Sequence, residues 1–270
     1  MSFLVLSAAL LSQPTALRAQ FRADSTWQDI RHTGGDIWAL WTSPVRANAS
    51  ELGGFAIFAS GVGAAAVLDE PLYHWILDHP SAWPVRVLHP MRESAHYPLY
   101  KLGTGAYVIP LSTAAYLAGV MSKSRALRDA GMGCLAGDLT IAGVRQTIFL
   151  FLTRERPVGS PDDAFVFGFP GTQDPRHQSF FSGHVANSMA CASFVSHRFD
   201  LDVAEPLFYT FVMAIGAGRV VDGQHWLSDT VMGGMFGYLV GRTISGRFAA
   251  RDRSAVGRGM PLPIRFSWSF

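Results

Sequence analysis

Long apolar stretches dominate this chain, and its polar residues gather at their ends. Leu52 to Leu68 is rich in Gly and Ala and reads as a helix built for close packing, ended by Asp69-Glu70-Pro71. Leu102 to Ser122 is uncharged for a bilayer's length, and Lys123, Arg125 and Arg128 follow it. The next apolar segment, 130–153, carries Asp138 and Arg145, which share a helix face and are expected to pair internally. Pro157 should stop that helix and leave Arg156 at its C-terminal end. Three more helices are expected over 184–198, 204–218 and 229–248. Val158 to Gln178, with four prolines and glycines between Gly168 and Pro175, reads as a long irregular loop of the kind that forms lids; its Asp162 and Asp163 read as solvated turn residues. The pattern predicts an all-α fold, a helical bundle of about six core helices over 51–250.

The flanks read differently. Residues 1–19 resemble a secretory signal, with an apolar run from Phe3 to Leu11 and a cleavage site after Ala19; an N-terminal anchor is the alternative. In the 20–50 extension, Trp27, Ile30, Ile37, Trp38, Leu40 and Trp41 fit a short amphipathic surface helix broken at Gly34-Gly35. Residues 251–270 form a basic tail, within which Ile264 to Phe270 alternates as a short strand would.

Three polar clusters sit where helices should end or begin. They are Thr153-Arg154-Glu155-Arg156-Pro157, Ser179-Phe180-Phe181-Ser182-Gly183-His184, and Gly218-Arg219 with His225 and Asp229. Ser228 or Asp229 is a natural N-cap for the last helix. His225 and Asp229 are four positions apart, so a carboxylate can hold one imidazole nitrogen and leave the other facing a substrate. Arg156 and Arg219 offer planar forks suited to phosphate oxygens. Ser182 and Gly183 open a helix, whose positive end and free N–H groups attract anions, with His184 beside them. An antiparallel bundle brings all these termini to one end, which places a site there.

In these residues the chain resembles the type 2 phosphatidic acid phosphatase and vanadium haloperoxidase superfamily, an acid phosphatase-like group. Its motifs are Lys, six residues, Arg-Pro; then Pro-Ser-Gly-His; then Ser-Arg, five residues, His, three residues, Asp. Order and spacing match over roughly residues 50–250, while Phe149, Phe181 and Gly218 replace the Lys, the Pro and the Ser. The resemblance implies the roles that the chemistry suggests. His225, oriented by Asp229, is the nucleophile, and His184 is the general acid and base. Arg156, Arg219, Ser182 and Gly183 bind the phosphoryl oxygens. Phe149 cannot replace a Lys. Arg145, one helical turn deeper, is the candidate substitute, and Arg154 is a second.

Composition narrows the partners. A formal net charge of +2 excludes a strong basic field for nucleic acid, and 49% hydrophobic against 16% charged residues favours a membrane or its surface. His74, His79, His89 and His96 match no compact metal-ligand spacing, so no metal is expected. Cys134 and Cys191 read as small buried core residues; a disulfide could form after export but is not deducible.

The expectation is therefore a metal-independent phosphatase without cofactor, acting through a phosphohistidine on a phosphomonoester or pyrophosphate, with a lipid-linked substrate favoured. The alternatives are a vanadium-dependent haloperoxidase, with His225 on vanadate, and a weakly active or non-enzymatic envelope protein, since the first-motif Lys is missing. The favoured location is the periplasm or cell envelope after export. An integral membrane bundle whose site faces the periplasm is the close alternative. The cations Lys123, Arg125, Arg128 and Arg198 lie at the end opposite the motifs, which would be cytoplasmic. A cleaved signal conflicts with that orientation unless the bundle does not span, the signal stays, or 20–50 or 70–100 adds a crossing.

Overall fold

The computed structural model describes residues 24–43, 49–88, 103–172 and 174–256. The expected signal, the Ile264–Phe270 strand, His89 and His96 lie outside the described residues. Helix α1 spans Asp24–Trp41, α2 Ala49–Ala66, α3 Asp69–Asp78, α4 Trp83–Leu88, α5 Gly105–Ser122 and α6 Arg125–Phe151. Helices α7, Gly183–Phe199, α8, Glu205–Val221, and α9, Leu227–Val256, follow. The only strands among the described residues are β1, Thr153–Arg154, and β2, Phe167–Gly168, paired antiparallel.

Helices α7 and α9 form the central pair, and small residues explain how close they come. Gly233, Gly237 and Gly241 of α9 recur every four positions and lie against the carbonyls of Ser182, Ala186 and Ala190, which recur at the same spacing. Two i+4 ridges of near-zero height let the backbones touch. Gly133 of α6 accepts the Phe194 ring in the same way. Ile141, Phe181, Ala186, Phe194, Val240 and Ile244 fill the core between α6, α7 and α9.

The helices alternate in direction. The α6 C-terminus, the α7 N-terminus, the α8 C-terminus and the α9 N-terminus meet at one end. Helix α5 begins there too, since Gly103 abuts the His184 carbonyl. Helix α2 runs toward that end and passes into α3 beside Arg154, through Asp69. Helix α4 also stays there, with Val85 packed against Val220.

Several expectations change. Asp69-Glu70-Pro71 does not end a helix; it opens α3, with both acids in the first turn, where the dipole favours them. Gly34-Gly35 does not break α1, because Trp41 anchors its far end on Gly143 of α6 and Asp36 ties it to Arg247 and Arg251. The basic tail begins as a continuation of α9 to Val256. Helix α6 ends at Phe151, five residues before Arg156, because Leu152 turns extended and Thr153-Arg154 pairs with β2. Asp138 and Arg145 do not pair; Asp138 accepts from Ser112, and Arg145 turns toward α7. Cys134 and Cys191 are joined by a disulfide across α6 and α7, their Cα atoms 4.5 Å apart. At the end opposite the motifs the cations are matched by acids. Arg125 and Arg198 share Asp129 and Asp252, and Arg128 pairs with Asp29.

Three helical stretches are long and apolar enough to cross a membrane: Gly53–Asp78, Gly105–Ser122 and Arg125–Phe151. From Gly53 to Ala66 helix α2 carries no charged residue and leaves Phe55 and Ile57 exposed, 66% and 75%. Such a continuous apolar face marks contact with lipid rather than water, so the chain is membrane-associated.

Gly237→Ala should test the central contact. A Cβ there meets the Ala186 carbonyl with no flexible group to yield. The variant should lose about 1–3 kcal/mol, read as a lower thermal unfolding midpoint in detergent, whereas Gly246→Ala, where space is open, should not.

Candidate active site

The third motif starts the site. Helix α8 ends at Val221, and the chain turns through Gly223 at φ +62. A side chain at Gly223 would strike Tyr73 Oη and Val158 Cγ1, so both the left-handed backbone and the close approach require glycine. The Arg219 carbonyl then accepts from the Gln224 and His225 amides, at 3.1 and 3.3 Å, and closes the turn that presents the imidazole. Helix α9 begins at Leu227, earlier than the expected Ser228 or Asp229 cap. Asp229 sits third in the helix, and its Oδ2 accepts from the Trp226 amide at 2.9 Å. That contact is the carboxylate half of a capping box.

Backbone links lace the other two motifs to this turn. The Ser182 amide donates to the Asp229 carbonyl at 3.1 Å. Val158 N–H donates to the Gly223 carbonyl, and Trp226 Nε1 donates to the Glu155 carbonyl at 2.9 Å. Arg156, on the loop beyond β1, donates to the Gln224 side chain.

His225 is buried, and its Nδ1 lies 2.7 Å from the Ser179 carbonyl but 3.9 Å from Asp229 Oδ2. The carbonyl, not the expected carboxylate, therefore takes the imidazole hydrogen bond, and Asp229 stands behind it as a charge. A carbonyl only accepts, so Nδ1 carries the proton and Nε2 keeps its lone pair. Ser179 was missed in the sequence. Its Oγ donates to Asp229 Oδ2 while its carbonyl holds His225, so one residue fixes both partners.

The residues expected to bind an anion gather around the α7 N-terminus: Arg145 lies against Gly183, and Arg156 and Arg219 act on His184. Ser182 is its N-cap, and its side chain makes no capping bond. The fully buried Ser182 hydroxyl has no hydrogen-bond partner among the described residues. The Arg145 guanidinium lies against Gly183, where a Cβ would collide with it, and its Nε donates to the Phe181 carbonyl at 3.1 Å. The Phe149 ring, at the position of the family Lys, lies 4.8 Å under the same guanidinium. The aromatic residue thus supports a cation sent from one turn earlier. Phe181, at the Pro position, packs its ring on Phe236 and leaves only its carbonyl to the site.

Arg154 is no anion ligand. It is 3% exposed, and its Nη1 binds Asp229 Oδ1 and Ser228 Oγ, at 2.7 and 2.8 Å. Its Nη2 binds Asp69 Oδ2 at 2.7 Å, and its Nε binds the Ala164 carbonyl. No spacing rule could have linked Asp69 to this arginine across eighty-five positions. The only hint was a charged residue at the end of an apolar helix. The intermotif loop carries β2 and a short 3-10 turn at Pro175–His177. Asp163 caps a turn at Phe165, as expected of a turn residue, and Asp162 lies exposed beside His74.

The charges explain the protonation states. Burial pushes the His225 imidazole down from 6.5 to about 4; Asp229 opposes the shift, and Arg219 and Arg156 add to it. Burial, and then Arg219, His225, Arg145 and Arg156, pushes His184 down to about 2. Both imidazoles are neutral in the empty site, and His184 feels every cation assigned to it. Burial alone would raise the Asp229 carboxyl, but His225, Arg154 and Ser179 hold it below its ordinary value.

At these two imidazoles the folded chain therefore binds fewer protons than the unfolded one below pH 6.5. Their contribution to stability is complete above 6.5 and is lost as pH falls through about 4 at His225. The thermal midpoint, followed across that range, should drop with pH, and His225→Gln should flatten the drop.

No curated protein matches the chain. Among solved structures it is similar to "the first transmembrane PAP2 type phosphatidylglycerolphosphate phosphatase from Bacillus subtilis". That similarity has 19% identity and a TM-score of 0.49, covering 73% of this chain and 92% of that chain. Residues 135–252, which hold all three motifs, match the family model described as PAP2 superfamily. The motif spacing and the helical fold of this segment agree with that match to the PAP2 superfamily.

Proposed function

We propose that the chain is a phosphatase that hydrolyses a phosphomonoester or pyrophosphate through a phosphohistidine, without a metal. One observation carries the reading. His225 holds its proton on Nδ1 toward the Ser179 carbonyl and so keeps the Nε2 lone pair, while Arg219 and Arg156 lie near enough to act on both His225 and His184, and Arg145 on His184.

In the first step Nε2 attacks phosphorus in line, forms the N–P bond and breaks the bond to the leaving oxygen. The charge on the equatorial oxygens meets Arg145, Arg156, Arg219, the Ser182 hydroxyl and the Gly183 amide. His184 must be protonated to serve the leaving oxygen, yet it is neutral in the empty site. The arriving phosphoryl anion offsets the cations around it and raises its proton affinity, so substrate binding arms the acid. After transfer, the neutral His184 takes a proton from water. That water cleaves the N–P bond, releases phosphate and restores His225.

The setting supports a lipid-linked substrate: the motif residues gather at one end of a bundle whose long apolar helices leave Phe55, Ile57, Leu117 and Met121 exposed. A site on the exported face is the reading favoured here. The Cys134–Cys191 disulfide fits an oxidising compartment. Helix α2 runs toward the site, so a start on the cytoplasmic side would place the site outside without the conflict that a cleaved signal creates.

His225→Ala should abolish release of inorganic phosphate from a panel of phosphatidic acid, polyprenyl pyrophosphate and soluble esters. Normal turnover by that variant removes the phosphohistidine. Arg145→Ala should lower kcat roughly 100-fold, the usual size for one lost donor at a developing oxyanion. Arg242→Ala, on the exposed face of α9, should stay within about twofold in the same phosphate-release assay.

A further inference from the structure

We infer that Asp69, on the helix that precedes the family segment, is a positioning residue for the nucleophilic His225, acting through Arg154, Ser228 and Asp229. The inference rests on the role given to His225 above.

Asp69, Ser228 and Arg154 close a buried ring of hydrogen bonds, and Asp229 joins it through Arg154. Asp69 Oδ1 accepts from the Ser228 amide at 2.8 Å, and its Oδ2 accepts from Ser228 Oγ at 2.6 Å and Arg154 Nη2 at 2.7 Å. Arg154 Nη1 continues to Asp229 Oδ1 at 2.7 Å. Asp69 and Asp229 are fully enclosed and Arg154 is 3% exposed, so no water screens these charges. One arginine therefore serves two carboxylates, and the ring keeps one net negative charge beneath His225. With a single carboxylate on Arg154 that charge would vanish, and Asp229 would form an isolated neutral pair.

The ring also sets position. Asp229 makes no hydrogen bond to His225, so it acts on the imidazole by where it stands, 3.9 Å away. Its orientation depends on Arg154, and that of Arg154 depends on Asp69 at the other end. The rest of α3 supports the same loop. Tyr73 stacks edgewise on Trp226 at 5.8 Å and touches Gly223, and Glu70 accepts from the Ala164 amide at 2.8 Å. Asp69, Glu70 and Tyr73 lie outside residues 135–252, so this chain builds part of its site from outside that segment.

The charged groups that face His225 are Asp229, Arg219, Arg156 and His184. Asp69→Asn keeps the shape and removes one charge from the ring. The balance around the imidazole then moves toward the cations, and the protonated imidazole loses support.

The test uses the full chain in detergent micelles with nitrogen-15 histidine, titrated by NMR, alongside phosphate release. Asp69→Asn should move the His225 titration to lower pH by about half a unit to one unit. It should lower kcat about 10-fold or more, with KM within about twofold. In an Asp229→Asn background the added Asp69→Asn should lower kcat less than it does alone, because the positioning route through Asp229 is already lost. A His225 titration that does not move in the single variant, or a kcat loss of equal size in both backgrounds, overturns the proposal. Ser228→Ala removes one donor to Asp69 and keeps all three charges. It should shift the titration in the same direction by less, and it carries the test if Asp69→Asn does not fold; an unmoved titration there also overturns the link. Wild-type protein whose His225 responds to Asp69 but which releases no phosphate would refute the hydrolysis and leave the link standing.

Discussion

Arg154 is the charge on which the site depends. It lies between Asp69 and Asp229 in a pocket that excludes water, and each partner is satisfied only because the others are present. Charges without solvent are expensive unless paired and hydrogen-bonded, so the geometry of such a group is over-determined. The same contacts join β1, the start of α3 and the first turn of α9, three elements far apart in the chain. The turn that carries His225 is held by this group on one side and by the Ser179 carbonyl on the other.

Around that fixed centre, the proposed anion site is built from helix termini and three arginines. Arg145, Arg156 and Arg219 surround a buried imidazole that they drive toward neutrality. Phe149 shows how the chain accommodates a changed motif position. Losing a lysine at one position does not remove the charge, because Arg145 on the same helix face bends over the new ring and reaches the α7 N-terminus. Phe181 is a quieter change, since its ring enters the core and only its carbonyl is used.

The bundle serves this end in a simple way. The contact between α7 and α9 through Gly233, Gly237, Gly241, Ser182, Ala186 and Ala190 brings the second and third motifs within one hydrogen bond, from the Ser182 amide to the Asp229 carbonyl. Small residues at spacing four are what make that approach available. At the opposite end, acids on α1, α6 and α9 neutralise the cations that the sequence left as a one-sided charge. The charge asymmetry used to orient the bundle is weaker than the bare sequence implied.

Much was legible in the residues themselves. Uncharged stretches of helical length set the number and place of the core helices, because burying a backbone in an apolar setting demands helix. The spacing of Arg156, Ser182, His184, Arg219, His225 and Asp229 marked one anion site, because those side chains share a chemistry that a single tetrahedral ligand explains. Local rules failed where distant groups competed. Asp69 looked like a helix stop and became a helix start, since only Arg154 and Ser228, brought close by folding, gave it a buried partner. Asp138 and Arg145 looked like a pair and took different partners, because the α7 N-terminus offered Arg145 a carbonyl that no i+7 spacing could announce. The chain alone determined which groups could meet an anion. Tertiary packing alone decided which of them gather at the α7 N-terminus and which hold the others in place, because burial makes a charge choose its nearest partner in space, and sequence distance carries no information about that choice.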